Sequence, residues 1–138
     1  MADISPKVER KVALLDENKT VLDAATIMVE RIIGSVVATH SSVVSGIFTE
    51  RDLMRVVAQN QNPATTKLKD VMRTDIVRAS PHDSVEDCLS LMRANRSRHL
   101  LVYDRDEFVG IVSLRDLAAL MLEEKEALVE ELTKYITS

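Results

Sequence analysis

Two pairs of side chains have the types and spacing for joint chemistry. Thr49 and Asp52 place a hydroxyl and a carboxylate three positions apart, and Ser113 and Asp116 repeat the arrangement. A hydroxyl followed at this spacing by an acid, ahead of an apolar run, marks a helix start, because each side chain can satisfy the other residue's backbone N–H. Spacing alone therefore favours capping for both pairs, worth about 1 kcal/mol each. Thr20/Asp23 and Ser84/Asp87 share the spacing and read only as caps. Arg96, Arg98 and His99 lie near the end of an expected helix, where cations are favoured.

Other reactive constellations are missing from the sequence. It contains no Gly-x-Ser-x-Gly elbow, no His-Glu-x-x-His and no Walker-type phosphate loop. His40, His82 and His99 are scattered without metal-ligand spacing, and Cys88 is the single cysteine. That count excludes an internal disulfide and any multi-cysteine metal site. Cys88 falls on an apolar helix face, where a free cysteine behaves as a small hydrophobe. The expectation is a protein that is not an enzyme.

The two pairs sit inside a longer repetition. Gly46-Ile47-Phe48-Thr49-Glu50-Arg51-Asp52-Leu53 recurs 64 residues later as Gly110-Ile111-Val112-Ser113-Leu114-Arg115-Asp116-Leu117. The same offset aligns Val21 with Val85, Asp23 with Asp87 and Met28 with Met92 without a gap. A fixed period of this kind means a tandem structural repeat. At 138 residues the chain holds two halves, each too small to bury much surface alone. Residues 1–62 form the first copy with an amino-terminal arm, 63–122 the second, and 123–138 a helical extension.

Composition is that of an ordinary globular protein, with 46% hydrophobic and 29% charged residues. No apolar run has the eighteen or more residues of a membrane helix, and the first residues carry no apolar signal core. The expected location is cytoplasmic, with no membrane partner. A net charge of −4, with two Phe, two Tyr and no Trp, argues against a nucleic-acid partner, which would want a basic face and stacking platforms.

Each copy is expected to read strand–helix–strand–strand–helix, an α/β (α+β) arrangement. In the first copy, strands are expected at Val12 to Leu15, Val36 to Ala38 and Val43 to Phe48. A helix follows Thr20, with Val21, Ala24, Ala25, Met28 and Ile32 inward, and Gly34 closes it. A second helix runs from Glu50 to Gln59, and Gln59 to Thr66 is turn chemistry. In the second copy, Leu68 to Met72 is a helical turn, and Ile76 to Ala79, Leu100 to Tyr103 and Phe108 to Val112 are strands. The helix Val85 to Ala94 buries Val85, Cys88, Leu89 and Met92. The last helix starts near Leu114 and reaches Tyr135 or beyond. Its apolar stripe (Leu117, Leu120, Met121, Leu128 and Leu132) outruns what a short helix buries on its own domain.

Both copies resemble cystathionine-β-synthase (CBS) domains, and together they resemble a stand-alone Bateman module over about residues 8 to 122. The resemblance is carried by Thr20-Val21 with Ala24-Ala25 and Met28, by Gly34-Ser35-Val36-Val37, and by the segment Gly46 to Leu53. In the second copy it is carried by Ser84-Val85, Met92, Arg98-His99-Leu100-Leu101-Val102 and the segment Gly110 to Leu117. It implies two α/β halves packed about an approximate two-fold axis, with two clefts between them and a regulatory, non-catalytic role. It further implies an adenosine-containing ligand, an adenine nucleotide such as AMP, ADP or ATP. In such proteins the Asp of the Ser/Thr-x-x-Asp motif holds the ribose hydroxyls and the hydroxyl residue lies near the phosphate. Here these are Thr49, Asp52, Ser113 and Asp116.

Physical chemistry agrees with that implication. A carboxylate accepts from both hydroxyls of a vicinal diol, and a helix N-terminus offers N–H groups to a phosphate. Arg98 and His99 are implied phosphate donors, and Arg51 and Arg115 weaker ones. The adenine is implied to lie along Gly34, Ser35 and Val36, along Ile76, Val77 and Arg78, and beside Leu100. Gly34 and Ser35 occupy in the first copy the positions of Arg98 and His99, so the two clefts are not equivalent. The functional expectation is a sensor that passes ligand occupancy to an effector protein by population shift, as a homodimer joined through its helices. The alternatives are a ligand-free dimeric scaffold and a sensor of S-adenosylmethionine or a dinucleotide.

Overall fold

The computed structural model describes residues 3–137. It comprises two compact units, residues 11–76 and the arm up to Arg10 together with residues 77 onward. The first unit contains β1 (Leu14–Asp16), α1 (Val21–Arg31), β2 (Ser35–His40), β3 (Val43–Thr49) and α2 (Glu50–Ala58). The second contains β4 (Arg78–Ala79), α3 (Val85–Asn95), β5 (His99–Asp104), β6 (Glu107–Ser113) and α4 (Leu114–Thr137). Both follow the strand–helix–strand–strand–helix order, and the expected α/β (α+β) class is the one observed.

Each unit is built on a three-stranded sheet, β1-β2-β3 or β4-β5-β6. The first two strands are parallel and the last two antiparallel. The parallel pair is joined through a helix, as a parallel connection requires. The central strands bury Val36, Val37 and Ala38 in β2 and Leu100, Leu101 and Val102 in β5, and the strands after them bury Ile47 and Phe48, and Ile111 and Val112. The register slips at Ala38/Thr39 and, at the matching place, at Val102/Tyr103. The repetition thus extends to a local irregularity of the ladder.

The compact units cut across the repeat boundaries. Ile4, on the amino-terminal arm, is fully buried in the core of the second unit with Val85, Cys88, Met92, Leu100, Val112 and Leu117. Its counterpart 64 residues on, Leu68, is fully buried in the core of the first, with Val21, Met28, Val36, Phe48 and Val56. The backbone of Glu9 exchanges two hydrogen bonds with Ile111, and that of Arg73 exchanges two with Ile47. Each repeat therefore takes the segment that stabilises its sheet edge from the chain just ahead of the other repeat.

Several expectations change in detail. The first helix does not close at Gly34: Ile32 takes the left-handed conformation (φ 55°) and its side chain is 92% exposed, not inward. Arg96 does the same at the end of α3 (φ 50°). The stop is made by backbone bonds to Met28 O and to Met92 O, which the left-handed turn permits without glycine. The strand expected over 76–79 is reduced to Arg78–Ala79, because Ile76 N–H bonds back to Thr74 O in a turn. Ala25 and Leu89 are only half-buried. Leu117 and Leu120 are core residues, whereas Met121, Leu128 and Leu132 are exposed.

Candidate nucleotide-recognition site

In each unit the last strand runs directly into the last helix, and the hydroxyl–carboxylate pair sits at that junction. Thr49 ends β3 and caps α2. Its N–H donates to Asp52 Oδ2 at 2.9 Å, and Asp52 N–H donates to Thr49 Oγ1 at 3.4 Å. Ser113 ends β6 and does the same for α4: its N–H donates to Asp116 Oδ2 at 2.9 Å and Asp116 N–H donates to Ser113 Oγ at 3.1 Å. Thr20 and Asp23 form a reciprocal cap on α1, and Ser84 accepts from Asp87 N–H on α3. The capping reading of all four pairs is correct.

The sheet brings other expected residues to the same junction. Ser35 is in register with Thr49, and His99 with Ser113. Gly34 O accepts from Glu50 N–H at 3.1 Å, and Arg98 O accepts from Leu114 N–H at 2.8 Å. Arg98, His99, Ser113 and Asp116 therefore meet at one end of the second sheet, with Arg98 exposed and His99 half-buried. Arg51 and Arg115 are exposed on the first turns of α2 and α4. The second junction thus combines the positive end of the α4 dipole with cationic side chains nearby, a combination suited to an anion, while the N–H groups of Ser113, Leu114 and Asp116 are already engaged within the protein.

The expected adenine-lining residues divide. Val36 and Leu100 are buried in the two cores and expose almost nothing of themselves. Val77 packs against the second core, and its carbonyl accepts from Leu101 N–H at 3.3 Å. Arg78 lays its guanidinium 3.9 Å from the centre of the Tyr103 ring, which stands edge-on to Phe108. Ile76 belongs to the first unit.

Two residues that bear on the site escaped sequence reasoning. Arg55 Nη1 donates to Asp52 Oδ1 at 3.1 Å, and a Cβ on Gly34 would stand 2.8 Å from Glu50 Oε1. Their counterparts are Ala119 and Leu114, so laying the two copies side by side at the 64-residue offset would have found them. Cys88 is fully buried, and burial together with Asp83 and Asp87 pushes its thiol up to about 11, so it is inert packing. No group of three or more His, Cys, Asp or Glu among the described residues could hold a metal ion. No helix among them is long and apolar enough to cross a membrane.

Comparison with known proteins agrees with this architecture. The CBS domain model matches residues 2–59 and again 68–123. The CBS domain-containing protein YhcV of Bacillus subtilis is 31% identical over 128 residues, 92% of this chain and 91% of its own length. A CBS domain protein from Burkholderia ambifaria has the same fold at a TM-score of 0.80 and 31% identity, covering 83% of this chain and 85% of its own. Another, from Pyrobaculum aerophilum and solved as a complex with AMP, superposes at 0.76 with 26% identity over 88% of this chain and 96% of its own. With two matched copies that span nearly all of it, the chain belongs to the CBS domain family, whose tandem pairs are non-catalytic regulatory modules.

Proposed function

We propose that the chain is a cytoplasmic sensor that binds an adenosine-containing ligand of the AMP, ADP or ATP type and transmits its occupancy to an effector protein. The observation that carries this reading is the hydroxyl–carboxylate pair at the first turn of α2 and again of α4, at the end of each sheet. A carboxylate there can accept from both ribose hydroxyls, and few other side chains can do so. The helix start beside it supplies a positive dipole end for phosphate. The candidate contacts are Thr49, Asp52, Ser113 and Asp116 for ribose and phosphate, with Arg98, His99, Arg51 and Arg115 as cationic donors. Gly34, Ser35, Val36, Ile76, Val77, Arg78 and Leu100 are the weaker candidates, for the adenine pocket. The AMP complex of the Pyrobaculum relative supports the ligand class.

Binding would act by population shift: a ligand that fits one arrangement better than another favours it by the difference in affinity and no more. A homodimer would carry that shift to the effector. The test is thermal unfolding of the whole chain against AMP, ADP, ATP and S-adenosylmethionine. A ligand at a hundred times its Kd adds about 2.7 kcal/mol of stability, a rise of several degrees in midpoint for a chain of this size. A rise with a nucleotide supports the sensor. No rise with any of the four, in folded protein, would favour a ligand-free dimeric scaffold.

A further inference from the structure

The two junctions share a backbone plan but differ in what their side chains have left to give. At the first, both oxygens of Asp52 are engaged: Oδ2 by the N–H and hydroxyl of Thr49, Oδ1 by Arg55. At the second, Asp116 Oδ2 takes the Ser113 N–H, while Oδ1 has no hydrogen-bond partner among the described residues. The hydroxyl hydrogens differ in the same sense. Thr49 gives its own to Asp52 at 3.1 Å, whereas Ser113 Oγ only accepts from Asp116 N–H. Asp52 is also 8% exposed and Asp116 is more open.

Charge separates the two further. At the first junction α2 opens with Glu50, whose carboxylate lies against the Gly34 α-carbon. A phosphate arriving there would meet an anion, which offsets the attraction of the helix start. At the second junction α4 opens with Leu114, and the position matching Gly34 is the exposed Arg98. A free carboxylate oxygen and a free hydroxyl hydrogen therefore coincide with the exposed Arg98 at the second junction, whereas the first has neither and sets Glu50 next to its own cation, Arg51.

We infer that the second repeat alone holds the phosphate-bearing adenosine ligand, through Asp116 and Ser113, and that Glu50 and Arg55 keep the first repeat's motif closed as a helix cap. This assignment rests on the nucleotide-sensor reading and adds to it which motif binds and what silences the other. Arg55 acts by occupying the oxygen that a ribose hydroxyl needs, and Glu50 by disfavouring the phosphate.

The experiment is isothermal titration of the full chain with AMP, ATP and S-adenosylmethionine. The wild type is expected to take one equivalent per chain. Asp116→Ala should weaken binding about 10- to 100-fold, the cost of losing hydrogen bonds to a charged group. Asp116→Asn, which keeps a carbonyl oxygen for the Ser113 N–H, should also weaken it while retaining the cap, with circular dichroism confirming the fold. The double variant Glu50→Leu/Arg55→Ala gives the first repeat the residues of the second, Leu114 and Ala119, and should raise the stoichiometry from one to two. Two equivalents in the wild type would overturn the assignment, as would a double variant that stays at one. So would loss of binding in Asp52→Ala with the Asp116 variants unaffected. Those outcomes leave a nucleotide sensor standing, whereas no binding of any of the three ligands to folded protein removes the sensor reading and this assignment with it.

Discussion

The α-carbon of Gly110 stands so close to the carbonyl oxygen of Glu9 that a Cβ on it would collide with that oxygen and with the Val8 side chain. Gly46 has the same relation to Arg73, whose carbonyl oxygen would be 2.9 Å from an added Cβ, and to Met72. Neither glycine has positive φ, so neither is there for a special backbone conformation. Both are there because another stretch of chain crosses the strand at that point, and the crossing stretches are equivalent under the repeat. The conspicuous Gly-Ile of each copy is thus a packing requirement of the exchanged arm.

Alanine at these positions should destabilise unequally. At Gly110 the obstacle is backbone, which cannot move without breaking the two Glu9–Ile111 hydrogen bonds. At Gly46 part of the obstacle is the flexible Met72 thioether. Gly110→Ala is expected to cost about 1–3 kcal/mol, the range for overpacking a well-filled site, and Gly46→Ala less. Urea unfolding measures both, and equal costs would show that the backbone crossing is not the limiting contact.

Exchange of the arms makes a second prediction. Ile4 and Leu68 each fill a core that belongs to the other repeat's strands, and both are fully buried. Ile4→Ala and Leu68→Ala should each cost about 2–5 kcal/mol, as for other large-to-small core changes. The distribution of damage is the sharper readout. Hydrogen exchange should rise in α3 and β5 for the Ile4 variant, and in α1 and β2 for the Leu68 variant. Loosening confined to the repeat next in sequence to the mutated residue would contradict the exchange.

Much of this was legible from the chain alone, for physical reasons. Capping pairs are local, since a hydroxyl and an acid three residues apart find each other whatever the rest of the chain does, so Thr20/Asp23, Thr49/Asp52 and Ser113/Asp116 could be read directly. The buried strands were visible as apolar runs. What escaped was non-local. Nothing in the sequence near Ile4 says that it serves the strands of residues 99–113, because that depends on which sheet edge the arm reaches. Ile32 looked inward by helical period, yet the chain had already turned left-handed there. The closed state of Asp52 depended on the rotamers of Arg55 and Glu50, which spacing cannot supply.

Cys88 offers a pH test. Its thiol is pushed up to about 11 by burial, and by Asp83 and Asp87, so the folded chain holds the proton more tightly than the unfolded one. With the folded value raised, stability is intact below the ordinary cysteine pKa and falls as pH rises toward the folded value, because the unfolded state then binds fewer protons. The Cys88→Ala variant lacks this contribution. Between about pH 8.5 and 11, the wild type should lose stability more steeply than the variant. Parallel slopes in urea unfolding across that interval would mean that the thiol is not held neutral. Reaction with a thiol reagent at neutral pH should likewise be slow until the protein is denatured.

The carboxy-terminal helix yields the last prediction. Its counterpart α2 ends at Ala58 after nine residues, whereas α4 continues for 24. Residues 121–136 are exposed on their own chain throughout, tied down near their start by the 2.7 Å ion pair of Lys7 with Glu123. A helix of that length is marginal in water unless a face is packed. Leu128, Val129, Leu132, Tyr135 and Ile136 recur at three- and four-residue spacing, with Leu122 about two turns earlier, and form one apolar stripe beside an acidic face. A second copy of the chain, the partner in the proposed homodimer, would cover that stripe. Leu128→Lys/Leu132→Lys should then weaken the dimer at least about tenfold, or 1.4 kcal/mol, while leaving the unfolding of the two repeats nearly unchanged. Sedimentation equilibrium of this variant, and of a chain ending at Glu123, measures the shift. A dimer of undiminished affinity in both would place the interface on the repeats themselves, and the extension would need a different partner to hold it helical.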